Sequence, residues 1–265
     1  MTHPLRAPVE ELMRRIGREV LMPRFRTLDA SEIEEKAPED YVTVVDRESE
    51  ARLTEGLLSL LSGSHVVGEE AVAADPAIVA RVAEGTAWIV DPVDGTGNYA
   101  AGRSPFAIMV ALAEGGTVQA GWILDPVTGR MCHAAKGLGA FIDGQRVHAR
   151  TTGTAQPLGA LGTRYLPADV REAVLGRAEG HIALVDVPHC AGEQYPRLVL
   201  GTNDLALFWR AMPWDHAPGA LFVEEAGGRV ARIDGAPYRL ANDRPGLLAA
   251  ASPALWDEAA ALLFG

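Results

Sequence analysis

Trp88-Ile89-Val90-Asp91-Pro92-Val93-Asp94-Gly95-Thr96-Gly97-Asn98-Tyr99 is the most informative stretch of this 265-residue chain. Residues 87–90 are unbroken apolar sequence and read as a buried strand. That strand delivers Asp91 at its C-terminal end, Pro92 stops it from continuing into a ladder, and Asp94-Gly95 turns the chain. Two carboxylates three residues apart around a proline turn can converge on one point. Held that close they repel, and one takes a proton unless a cation intervenes. Hard divalent cations accept such oxygen ligands, backbone carbonyls like that of Val93 included. Gly95, Thr96 and Gly97 leave backbone N–H groups open just past the acids, an anion cradle if a short helix starts there. Taken alone, the same residues also read as a common turn.

Two further segments place acids where burial is expected. Gly68-Glu69-Glu70 follows a short strand at 65–67. Pro213-Trp214-Asp215-His216-Ala217 opens an Ala-rich helix that ends in Glu224-Glu225-Ala226-Gly227-Gly228. Each has a plain reading by itself: a solvated strand end for Glu69 and Glu70, a helix N-cap for Asp215 with Pro218 in the first turn. Spacing alone does not bring the three segments together.

Around these segments the chain divides into two patterns. Apolar periodicity predicts helices over 9–22 and 47–62 and a short one over 76–83, with 24–41 polar and irregular. From 106 the runs 106–113, 118–124, 130–134 and 140–142 read as strands, separated by Gly115-Gly116, Asp125-Pro126 and Asp143-Gly144. That is a meander, hence mostly antiparallel. Residues 151–157 read as a linker. Beyond it, strands (158–162, 182–187, 205–209, 229–233, 247–250) alternate with helices (168–179, 191–200, 215–226, 253–264), which says α/β.

Composition sets the outer bounds. Apolar residues make up 48% and charged residues 22% of the chain, an ordinary globular balance, and the length can bury a core without disulfide or metal staples. Lys and Arg number 24 against 35 acids, a net charge of -11. This argues against nucleic acid as the main partner, though not against small anions where a metal or helix end supplies positive charge. Two cysteines form no disulfide framework and fit a reducing cytoplasm. No signal peptide is visible, and the longest apolar run, 106–113, is too short to span a bilayer.

The acidic segments occur in the order GEE, WIVDPVDGTGNY, PWDHAPGALFVEEAGG. They are preceded by Asp40-Tyr41-Val42-Thr43-Val44-Val45-Asp46-Arg47-Glu48-Ser49-Glu50. Together they resemble the inositol monophosphatase family of magnesium-dependent, lithium-sensitive sugar-phosphate phosphatases. The resemblance implies an α/β fold, a layered α-β-α-β-α sandwich. An N-terminal α+β half, residues 1–150, would hold an antiparallel sheet and most metal ligands. A C-terminal α/β half, 151–265, would hold Asp215 and the selectivity side. It implies two to three Mg²⁺ per subunit, with Glu69, Asp91 and the Val93 carbonyl at the first and Asp91, Asp94 and Asp215 at the second. Asp46 and Thr96 match the pair that orients and deprotonates the attacking water, and Glu70 the acid that supports them. Gly95 and Thr96 match the backbone donors to phosphate, and Lys36 a loop lysine near the metals. The expected partner is a small phosphorylated metabolite, with neither nucleic acid nor membrane involved. The expected assembly is a cytoplasmic homodimer, with the apolar 106–134 meander as its candidate surface. A non-catalytic phosphometabolite-binding or accessory protein on the same scaffold is the rival reading. It is disfavoured because every acid the chemistry needs is present.

Two departures from the family pattern stand out, of which only the second bears on substrate. Gly97 replaces a second threonine after Gly95-Thr96. Seven residues before Asp215, where inositol-specific members carry a glutamate for sugar hydroxyls, stands Phe208, followed by Trp209 and Arg210. His189-Cys190-Ala191-Gly192 fits where the family has a small-residue turn opening a helix beside the substrate, so His189, Cys190 and Ala191 either face the substrate or pack as a helix N-terminus against the sheet. Strand alternation would put Phe208 and Arg210 on one face and Trp209 on the other. An aromatic and a guanidinium suit a flat or second anionic group better than a polyol. Histidinol phosphate, fructose 1,6-bisphosphate and 3'-phosphoadenosine 5'-phosphate, substrates of relatives in the superfamily, are therefore alternatives to inositol phosphate.

Overall fold

The computed structural model describes residues 3–37, 40–241 and 244–265; the side chains of Lys36, Ala37 and Asp40 lie outside it. The chain opens with helix α1 (Arg6–Ile16), a π-helical turn (Gly17–Leu21) and the short α2 (Met22–Arg24). A hairpin follows, β1 (Ile33–Ala37) and β2 (Asp40–Thr43), then α3 (Val44–Leu60), β3 (His65–Gly68) and α4 (Glu69–Ala74). After a 3-10 segment (Pro76–Ala83) come β4 (Thr86–Asp94) and α5 (Thr96–Ala100). The meander is β5 (Ala107–Glu114), β6 (Thr117–Leu124), β7 (Met131–Ala135), β8 (Gly139–Ile142) and β9 (Gln145–Val147). The rest is β10 (Leu158–Leu161), α6 (Ala168–Ala178), β11 (Ala183–Leu184), α7 (Ala191–Leu200) and β12 (Leu205–Phe208), then α8 (Pro213–Glu225), β13 (Arg229–Arg232), β14 (Leu247–Ala250) and α9 (Pro253–Phe264).

These elements stack in five layers. A seven-stranded sheet runs β3-β4-β5-β6-β7-β8-β9 and a five-stranded sheet runs β11-β10-β12-β14-β13. In the first only β3 and β4 are parallel. Strand β5 shows how sequence sets the layers: Ile108, Val110 and Leu112 join the cluster that includes Val9, Leu12, Met13 and Ile16 of α1. Ala107 and Met109 turn the other way, onto α7 and α8. The second sheet packs α7 and α8 on its inner face and α6 and α9 on its outer face. The order is α-β-α-β-α, the layered sandwich.

Helix α8 is the middle of the stack and is buried almost all round, from Pro213 to Val223 except Asp215. Small residues make this possible. A Cβ on Gly121 would lie 2.7 Å from Pro218 Cα, and one on Gly219 would lie 1.9 Å from the Tyr195 ring.

Several local expectations are corrected. The stretch 24–41 is not wholly irregular: β1 and β2 pair within it and just beyond. Pro92 does not end its strand, because β4 reaches Asp94 through a register shift between Asp91 and Asp94. A bulge tolerates the missing N–H. Glu69 and Glu70 open a helix, not a free strand end. The strand expected over 182–187 shrinks to two residues. Helix α8 starts at Pro213, with Asp215 inside its first turn and Pro218 in its interior. The apolar strand residues of the meander face helices of the same chain on both sides. No helix among the described residues is long and apolar enough to cross a membrane.

Candidate active site

A cavity of about 550 Å³ opens between the two sheets. Glu69, Asp91, Val93, Asp94, Gly95, Thr96, Ala191, Phe208, Arg210 and Asp215 all line it. Spacing in the sequence could not bring these segments together; the fold does.

Asp91 and Asp94 come from the bulged end of β4, and Asp215 from the first turn of α8. One carboxylate oxygen from each lies within 4.8 Å of the others. Asp91 is 1% exposed and Asp94 8%. Asp91 Oδ1 accepts the Val93 N–H at 3.0 Å, which fixes the turn around Pro92. Burial, then the charges of Glu69, Asp94 and Asp215, hold the Asp91 pKa well above the usual carboxylate range. Burial raises that of Asp94 too, against opposing hydrogen bonds. Those bonds come from the Cys190 thiol at 2.9 Å and the Gly192 N–H at 2.6 Å, both at the opening of α7. Cys190 therefore supports an acid from below and is itself buried, whereas His189 beside it is exposed with φ at +53°. Converging carboxylates that repel one another, Asp91, Asp94 and Asp215, offer oxygen ligands that fit a hard divalent cation.

Asp46 stands one step back. Its Oδ2 accepts the Thr43 N–H at 2.8 Å and the Thr43 hydroxyl at 2.6 Å, a reciprocal cap on α3. Its Oδ1 lies 3.1 Å from Thr96 Oγ1, which also reaches the Val93 carbonyl at 2.8 Å. A hydroxyl has one proton, so Thr96 serves one acceptor at a time. Burial pushes the Asp46 pKa up to about 6, with the Glu70 charge adding to the rise and the Thr43 and Thr96 bonds opposing it.

Thr96 begins α5, and Gly95 precedes it at φ +85°, where a Cβ would also press on Cys190 and the Pro105 carbonyl at 3.1 Å. A short helix does start there, as the anion cradle requires.

Two supports escaped sequence reasoning. Glu50, 7% exposed, reaches from α3 to accept the Glu70 and Ala71 N–H groups at 2.8 Å each, so it orients the turn that carries Glu69 and Glu70. Asn98 Nδ2 donates to the Pro105 and Pro188 carbonyls at 2.8 and 2.9 Å, lashing α5 to the segment before α7. Glu50 ends a motif already quoted; Asn98 lies within the opening stretch. Neither carries a local pattern that names its partner.

Phe208 is half-buried, stacked on Tyr195 (centroids 5.2 Å apart) and edge-on to His216 (4.8 Å). His216 is packing, not ligation. Its Nε2 donates to the Arg210 carbonyl at 3.0 Å and its Nδ1 accepts from the Tyr195 hydroxyl at 2.7 Å. Burial lowers its pKa to about 4 and keeps it neutral. Trp209 packs on the outer side of the sheet, away from Phe208. The Lys36 side chain lies outside the described residues.

The profile of the inositol monophosphatase family matches residues 2–263. Fructose-1,6-bisphosphatase/inositol-1-monophosphatase of Aquifex aeolicus is 27% identical over 230 residues, covering 85% of this chain and 84% of that protein. Inositol-1-monophosphatase of Mycobacterium bovis is 30% identical over 239 residues, covering 86% and 79% respectively. In fold, extragenic suppressor protein SuhB of Bartonella henselae superposes with a TM-score of 0.85 at 23% identity, over 99% of each chain.

Proposed function

Because the chain belongs to the inositol monophosphatase family, and is therefore a phosphoric monoester hydrolase, we propose that it cleaves a small phosphate monoester with two to three Mg²⁺ held by Glu69, Asp91, the Val93 carbonyl, Asp94 and Asp215. The observation that carries this reading is the convergence of Asp91, Asp94 and Asp215 within 4.8 Å, two of them buried. Burying such a cluster is costly unless a cation neutralises it. When bound, the metals supply Lewis acidity and lower the pKa of a bound water.

The chain's own groups supply the rest. Asp46 accepts from the Thr96 hydroxyl, which leaves the Thr96 oxygen lone pairs facing the cavity to orient the attacking water. As the water attacks, its proton would pass to the Thr96 oxygen while the Thr96 hydroxyl proton passes to Asp46, whose pKa lies near 6. The N–H groups of Gly95 and Thr96 meet the phosphoryl oxygens, where negative charge grows. Cys190 and Gly192 keep Asp94 aimed at the metals, Glu50 does the same for the Glu69 turn, and Glu70 backs Asp46 electrostatically. In this reading Ala191 borders the leaving group. Most ligands sit on the 1–150 half, and Asp215 with the selectivity side on 151–265. The reading includes a cytoplasmic homodimer, for which sedimentation at micromolar concentration is the check. The activity itself is tested by a panel of phosphate esters with Mg²⁺ and with excess EDTA. Hydrolysis that persists in EDTA would sink the metal assignment.

A further inference from the structure

The segment before α7 presents an imidazole at the wall of the catalytic cavity. Its main chain is fixed on both sides of that side chain. Asn98 Nδ2 donates to the Pro188 carbonyl at 2.9 Å, and the Cys190 thiol donates to Asp94 at 2.9 Å. His189 lies between them. A Cβ on Gly95 would lie 3.3 Å from the His189 carbonyl oxygen and 3.1 Å from Cys190 Cβ, so this backbone packs directly on the glycine of the phosphate turn. His189 takes φ +53°, a left-handed conformation uncommon for any residue but glycine. Arg26 and Asp143 share the feature, but of the three only His189 lines the cavity. Side chains held in such backbone conformations cluster at functional sites. His189 is exposed, and among the described residues its imidazole has no hydrogen-bond partner.

The reaction has a use for a proton at this wall. Cleaving the ester leaves the electron pair of the P–O bond on the leaving oxygen, and an alkoxide departs badly unless a proton reaches it as the bond breaks. Few side chains around the cavity can give one. Guanidiniums do not release a proton, and ionised carboxylates accept protons instead. The Cys190 thiol is committed to Asp94, and burial pushes its pKa well up. His216 is buried, neutral and bonded at both ring nitrogens. The phenols of Tyr41 and Tyr165 are of a class far less acidic than imidazolium. His189 is left, two residues before Ala191 and open to solvent.

We infer that His189 is a general acid for the leaving group. The water oxygen bonds to phosphorus, and the bond from phosphorus to the leaving oxygen breaks. The electron pair of that bond takes a proton from the imidazolium, while the proton of the water follows the Thr96–Asp46 path. The products are the alcohol, inorganic phosphate and a neutral imidazole, which regains its proton from solvent. The inference rests on the phosphatase reading above.

The test sets alkyl esters, inositol 1-phosphate and glycerol 2-phosphate, against p-nitrophenyl phosphate, whose phenolate leaves as a stable anion without a proton. The kcat with Mg²⁺ is measured for the wild type, His189→Asn and His189→Gly, since Asn and Gly both suit a left-handed backbone. Each variant is expected to lose about a hundredfold on the alkyl ester and at least about tenfold less on the aryl ester. Both esters are read in one preparation, so a loss of folded enzyme cancels from the ratio. Free imidazole should restore part of the alkyl-ester turnover of His189→Gly, which it would not do for a purely structural side chain. Equal losses on the two kinds of ester, a change in KM alone, or no loss in either variant overturns the general acid and leaves the phosphatase reading standing. So does a wild type that turns over the aryl ester alone. A wild type that turns over none of the esters overturns the phosphatase reading and the general acid together.

Discussion

Asp91 sits almost wholly out of water among three other acids, and its raised pKa measures that conflict. Asparagine has the same shape and keeps an oxygen for the Val93 N–H. Asp91→Asn should therefore relieve repulsion in the metal-free protein while destroying metal binding. A gain of about 1 kcal/mol would raise the melting midpoint in EDTA by about 2–4 °C. Activity with Mg²⁺ should fall by orders of magnitude. Scanning fluorimetry in EDTA decides the first part: a midpoint below that of the wild type would contradict the electrostatic account. Asp46 poses a different test. It accepts a proton only when ionised, and burial holds its pKa near 6. The kcat of the wild type should thus decline as pH falls through about 6. Thr96→Ala and Asp46→Asn should each cost about a hundredfold or more in kcat at pH 7.5 with KM little changed, since they act on water and not on substrate. A mutant with near-normal kcat would show the pair to be misassigned.

At the scale of elements, the site depends on helices entering at fixed angles. Helix α4 is six residues long and is held at its start by Glu50 from α3. Gly68 leaves no room for a side chain there, because a Cβ would lie 2.3 Å from the Glu50 carboxylate carbon. Helix α8 has an equally close neighbour in Tyr195, whose ring fills the space above Gly219. Gly219→Ala should destabilise by about 1–3 kcal/mol through overpacking and weaken the α8 contribution to the site. Urea unfolding measures the first; a variant as stable as the wild type would mean that Tyr195 moves freely. The meander and the later alternation of strands and helices were legible because side-chain period and turn residues agree locally. Hairpin β1–β2 was not legible, since Glu34, Glu35 and Lys36 mask any alternation in a partly exposed two-stranded ribbon. The run through Pro92 misled because proline is compatible with a strand only at a bulge, and nothing local announces one. Asp46, Thr96 and the acids could be named from motif resemblance. The Asn98 bonds to Pro105 and Pro188 could not, because they join a turn to segments far apart in sequence.

Across the whole molecule the two sheets meet at the acids. Asp91 and Asp94 end a strand of the first sheet, and Asp215 rides on the helix layer between the two. The Asp94 bond to Gly192 and the Asn98 bond to Pro188 tie the same seam. A cation bound there closes the seam as well as serving chemistry, so metal and fold are coupled. Metal binding to the native state alone stabilises by about 2.7 kcal/mol at a hundred times the dissociation constant. For a chain of this size that is a rise of about 5–10 °C in the melting midpoint. The coupling carries a sign with pH. Metal competes with protons for the carboxylates, and Asp91 and Asp94 hold their protons to higher pH than ordinary acids. The Mg²⁺-induced rise should therefore be large at pH 7.5 and shrink markedly by pH 5, although free carboxylates in solution are still mostly ionised there. Melting curves with Mg²⁺ and with EDTA at the two pH values give the comparison. An increment that stays the same at pH 5 would mean that the cation is held by groups other than this buried cluster.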